Sequence, residues 1–65
     1  MSGTVSQFDA HVGLGSVRLA DGREFPFHCT QIADGTRTIT VGAEVEFDGI
    51  PGPLGRWEAA NIKPA

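Results

Sequence analysis

Turn-forming residues punctuate this chain at short, regular intervals: Gly13, Asp21-Gly22, Asp34-Gly35, Gly42, Asp48-Gly49 and Pro51-Gly52-Pro53. Such spacing favours short strands and argues against long helices. The runs between the turns are rich in β-branched and aromatic residues, the pattern of an all-β sandwich or barrel. Five strands are predicted, at about 3–9, 14–19, 23–28, 43–49 and 56–63. Asp21-Gly22 joins the second and third as a tight hairpin. No repeat, low-complexity tract or linker interrupts the chain, which reads as one domain over residues 1–65.

Strand alternation assigns the faces. Val17 and Leu19 point one way, and Leu14, Ser16 and Arg18 the other. Phe25 and Phe27 share a face, with Pro26 and His28 opposite. Ala43, Val45 and Phe47 oppose an acidic stripe of Glu44, Glu46 and Asp48, read as a solvated face that guards against edge pairing. The predicted core is Val17, Leu19, Phe25, Phe27, Val45, Phe47 and Ile62. Pro26 cannot donate to a ladder, so its strand lies at an edge or its nitrogen points outward. Between Cys29 and Val41 no period holds, and a helical turn over Thr30–Ala33, capped by Thr30, is expected there.

Size and charge narrow the function. A 65-residue chain buries only about 60% of its unfolded surface. A deep pocket of roughly 300 Å³ or more is hard to build in so small a body, which favours a grooved or flat binding surface over an enzyme. Net charge is −3, from five basic and eight acidic residues, the wrong sign for gripping polyanions through the whole field. A local basic patch is compatible with that balance. One cysteine forms no internal disulfide and fits a reducing compartment. Neither a signal peptide nor a membrane span is read in the sequence, so the cytoplasm is the expected location. His28 and Cys29 are adjacent, and on a strand they would face opposite ways, so neither a metal site nor a nucleophile–base pair is expected. No cofactor is predicted.

The ordered motifs point to one branch of the five-stranded antiparallel OB-fold barrels. Gly3-Thr4-Val5 with Phe8-Asp9 resembles the opening Gly-x-Val-Lys-Trp-Phe-Asn of the bacterial cold-shock proteins. Gly13-Leu14-Gly15-Ser16-Val17 is similar to their Gly-Phe-Gly-Phe-Ile, and Phe25-Pro26-Phe27-His28-Cys29-Thr30-Gln31-Ile32 to Val-Phe-Val-His-Phe-Ser-Ala-Ile. Gly42-Ala43-Glu44-Val45-Glu46-Phe47 resembles Gly-Gln-x-Val-x-Phe, and Gly55-Arg56-Trp57-Glu58-Ala59-Ala60-Asn61-Ile62 resembles Gly-Pro-Gln-Ala-Ala-Asn-Val with one residue added.

The resemblance implies single-stranded RNA or DNA as partner, bound by stacking bases on aromatics. It also implies that most of those aromatics are replaced here. The family's strand-one Trp falls on Gln7, and its motif-one aromatics fall on Leu14 and Ser16. Its motif-two Phe residues fall on Pro26 and Cys29, its loop aromatic on Thr36, and its usual Lys positions on Ser6 and Val12. Phe8 and His28 keep the family's residues. Since each stacked base is worth roughly 1–3 kcal/mol, weaker or more specialised binding is expected.

The expected nucleic-acid surface comprises Phe8, Leu14, Ser16, Arg18, Pro26, His28, Arg37, Arg56 and Trp57. Trp57 reads equally well as a new stacking platform beside Arg56 or as a lid over the core. Arg23 and Lys63 read as solvated surface charge. A second reading starts from Leu14, Pro26 and Cys29, which leave a mildly apolar outer patch. In that reading the chain is a protein-interaction or homodimerisation module on the same scaffold.

Overall fold

The computed structural model describes residues 1–33, 35, 38–52 and 55–65. Strands β1 (Ser2–Asp9), β2 (Leu14–Arg18), β3 (Glu24–His28), β4 (Glu44–Pro51) and β5 (Trp57–Pro64) form one antiparallel sheet, ordered β3-β2-β1-β4-β5. This is the predicted five-stranded OB-type architecture. The sheet brings its two end strands together, but β3 and β5 pack without a ladder between them. A single parallel bridge from Ile32 to Ile62 ties the segment after β3 to β5. No described helix is long and apolar enough to cross a membrane.

Alternation builds the core as read. Val17, Phe25, Phe27, Val45, Phe47 and Ile62 are buried, and Val5, Ile32, Ala59 and Ala60 join them. Leu19 is only half-buried and packs against this cluster from its rim. Phe25 and Phe47 meet with centroids 5.5 Å apart and planes tilted by 59°, a favourable edge-on arrangement. Phe8 and Phe27 lie nearly parallel, 6.0 Å apart, across Gly15, which pairs with both. A Cβ at Gly15 would stand 2.6 Å from the Phe27 ring and 2.6 Å from the Gln7 carbonyl oxygen. Glycine is thus what lets the two rings approach.

Turn chemistry fixes the β2–β3 register. The Gly22 N–H donates to the Leu19 carbonyl at 3.0 Å, and Gly22 takes φ +93°. Ala20 and Asp21 therefore form the centre of the turn, and Gly22 supplies the left-handed residue that follows. Asp21 Oδ1 accepts the Arg23 N–H at 3.0 Å. Pro26 sits on β3, an end strand, where its missing N–H costs no ladder bond.

Three expectations are corrected. The helical turn is a 3-10 turn over Cys29–Gln31, and its N-cap is His28 rather than Thr30, because the imidazole reaches the Thr30 N–H. Strand β4 is hydrogen-bonded on both sides, so its exposed Glu44, Glu46 and Asp48 guard no edge. Cys29 lies on the turn and not on a strand, and its Sγ is 3.9 Å from His28 Nδ1 on the same side. One irregularity had no forecast: the β4–β5 register shifts between Glu46 and Asp48, and Asn61 takes φ +51° there. Asparagine tolerates that region, and its side-chain amide donates to Asp48 Oδ2 at 3.1 Å.

Candidate nucleic-acid interface

Register places the outward side chains of β1, β2 and β3 in cross-strand rows. One row runs Asp9–Leu14–His28, the next Gln7–Ser16–Pro26, and a third Thr4–Arg18–Glu24. The first two rows border an open groove of about 620 Å³ lined by Phe8, Leu14, Ser16, Pro26 and His28 together with Gln7, Asp9 and Glu58. Five of the expected surface residues are thus brought together.

The others lie elsewhere. Arg18 borders a separate depression beside Thr4 and Glu44, and it donates to Glu24 Oε2 at 3.3 Å. Arg56 and Trp57 flank a third depression of about 460 Å³ at the β3–β5 seam, shared with Arg23, Glu24 and Pro26. Trp57 is 57% exposed and so closes no core. Arg37 lies outside the described residues, as does Thr36.

Local bonding sets what the groove can offer. His28 Nδ1 accepts the Thr30 N–H at 3.3 Å and lies 3.1 Å from the Thr30 hydroxyl. The neutral ring then carries its proton on Nε2, leaving a donor for a ligand. Asp9 Oδ1 accepts the His11 and Val12 N–H groups at 2.9 and 3.4 Å. The Gly13 N–H donates to the Asp9 carbonyl at 2.8 Å, and the Gly13 carbonyl accepts the Cys29 N–H at 2.7 Å. These bonds hold the β1–β2 loop against the end of β3.

Charge is distributed unevenly. Among the described residues, the groove carries the Asp9 and Glu58 carboxylates and no arginine or lysine. Arg23 pairs with Asp21 at 2.8 Å, whereas Arg56 and Lys63 form no ion pair among the described residues. The Arg23 backbone N–H, and then its guanidinium, holds the Asp21 carboxyl below the usual range. No described cluster of three or more His, Cys, Asp or Glu side chains is placed to hold a metal. The groove can hydrogen-bond base edges through Gln7, Ser16 and His28, but it offers little aromatic area.

Gln7, Asp9 and Glu58 were not among the expected surface residues. Cross-strand register could have found the first two, since they flank Ser16 and Leu14. Glu58 arrives from β5 through the packing of the sheet ends, which no local pattern reports.

An antiparallel five-stranded sheet with a groove across β1–β3 is the frame of a single-strand-binding OB domain. The sequence profile of the 'Cold-shock' DNA-binding domain matches residues 1–65, and the chain belongs to this family of nucleic-acid-binding domains, which are not enzymes. Over 63 residues the chain is 36% identical to a cold shock-like protein CspC of Bacillus cereus, covering 95% of each. A second protein of that name, from a strain of B. cereus, matches to the same extent.

Proposed function

We propose that this protein binds single-stranded RNA or DNA across the β1–β3 groove, more weakly than a face furnished with aromatics would. The observation that supports it most directly is the convergence of Phe8, Leu14, Ser16, Pro26 and His28 on one groove of a cold-shock domain. Weakness follows from the side chains. Leu14, Ser16 and Pro26 cover a base without a π-face, so roughly 1–3 kcal/mol is forgone at each. Asp9 and Glu58 add repulsion toward phosphates. The single half-buried Cys29 suits work in a reducing compartment such as the cytoplasm.

Fluorescence anisotropy of labelled single-stranded oligonucleotides, titrated at low salt, tests this. A dissociation constant of about 10⁻⁴ M is expected once salt reaches the physiological range, the weak end of sequence-independent binding. Unchanged anisotropy at millimolar protein would remove the proposal. The exposure of Val12 (55%) and Leu14 (53%) favours a second reading, a protein-interaction or self-associating surface on this scaffold. Light scattering coupled to size exclusion separates the two: a concentration-dependent dimer lost in Leu14→Ser supports the second.

A further inference from the structure

We propose that Trp57, Pro26, Arg23 and Arg56 form a stacking subsite at the β3–β5 seam that takes one base of a single strand and its flanking phosphates. It rests on the nucleic-acid reading above and extends the contact from the β1–β3 face to the seam. None of the family's stacking positions falls on residue 57, so the subsite belongs to this chain.

Three observations converge there. First, Trp57 opens β5 with its indole largely in solvent, so the largest apolar side chain of the protein is left unburied. Second, the seam depression of about 460 Å³ is lined by Trp57 and by Pro26, which also borders the β1–β3 groove. A base stacked on Trp57 can thus continue toward Ser16 and His28. Third, the charges fit. Arg23 and Arg56 both line the seam, whereas the titratable groups of the groove among the described residues are two carboxylates and His28.

The one acid that lines the seam among the described residues is already engaged. Glu24 Oε2 accepts the Ser6 hydroxyl at 2.8 Å and the Arg18 guanidinium at 3.3 Å. Arg23 is held near the seam by Asp21 and by the Phe25 ring, 5.8 Å from its guanidinium carbon. Arg56 is exposed and forms no ion pair among the described residues, so it can meet a phosphate without breaking one. An indole that shares a depression with two arginines on an otherwise acidic body matches a polyanion that carries flat bases.

The test pairs two signals on the intact chain with labelled single-stranded DNA and RNA oligonucleotides. Indole emission reports the seam, because Trp57 is the sole tryptophan, and label anisotropy reports binding anywhere. We expect both to change along one titration curve. Trp57→Ala should weaken binding by about 5- to 150-fold, Trp57→Phe by much less, and Arg56→Gln by several-fold. Since Trp57 is exposed, these variants should keep the parent circular dichroism spectrum. If anisotropy rises while the indole stays silent and Trp57→Ala binds like the parent, the subsite is wrong and the nucleic-acid reading stands. If anisotropy never rises, the reading falls and the subsite with it.

Discussion

Ser16 and Pro26 face one another directly across β2 and β3, at the centre of the groove. Both are where the cold-shock pattern carries a phenylalanine, and both side chains are small enough to leave the groove open. Restoring the rings is therefore a test of place. Ser16→Phe with Pro26→Phe should tighten oligonucleotide binding by about 100-fold, toward the lower end of what two stacking platforms supply. Pro26→Phe adds an N–H on an end strand, where it remains in solvent, so the fold should tolerate it. Anisotropy titrations of the folded double variant give the answer, and affinity equal to the parent's would mean that ligand does not cross this pair. The neighbouring Gly15 admits no such change, because its Cβ would meet the Phe27 ring and the Gln7 carbonyl. Adjacent outward and inward positions on one strand thus differ in what they permit: Ser16 has space above it and Gly15 has a ring beneath it.

At the scale of elements, the β2–β3 hairpin carries the groove's central residues, so its turn controls how they align. Asp21 accepts the Arg23 N–H at 3.0 Å and pairs with its guanidinium at 2.8 Å, which lowers the carboxyl's folded value. A lowered carboxyl contributes stability above its ordinary value, and loses that contribution as pH falls through the folded value. Asp21→Asn should therefore melt lower than the parent at pH 7, with the difference closing in acid as pH falls through the carboxyl's lowered folded value. The side chain is exposed, so the gap should be small and should shrink with salt. A difference in melting temperature that is the same at both pH values would show that the charge is irrelevant to the turn. The existence of this hairpin was legible in the sequence, because Asp21-Gly22 and the alternation around it act within a few residues, but the turn centres on Ala20 and Asp21 with Gly22 following. The turn after β3 was less so. Thr30 is a good capping residue by type, but His28 reaches the same N–H from one strand position earlier. Asn61 gave no signal either, since its left-handed backbone follows from the β4–β5 register shift, which is a property of the pair of strands.

The whole molecule decides where a polyanion can lie, and here sequence reading was weakest. Same-face periodicity grouped Arg18 with Leu14 and Ser16 correctly, yet Arg18 borders another depression and Glu24 engages it. Arg56 and Trp57 are far from Pro26 in sequence and share a depression with it only because the sheet brings β3 and β5 together. The net charge of −3 thus conceals two surfaces, a groove with carboxylates and a seam with guanidiniums. That division has a measurable signature in salt. If Arg23 and Arg56 are the only side chains that meet phosphates, two contacts at about −0.7 each give a slope near −1.4 for log K against log salt. Raising salt from 50 to 200 mM should then weaken single-strand binding by about 7-fold. Arg56→Gln should halve the slope to about −0.7, whereas Ser16→Phe with Pro26→Phe should shift affinity and leave the slope alone. Stacking and charge are carried by different residues in this protein, so the two kinds of variant should move different parameters. A parent slope steeper than about −3 would require at least five phosphate contacts, and would bring Arg18, Arg37 and Lys63 back as ligands of the backbone.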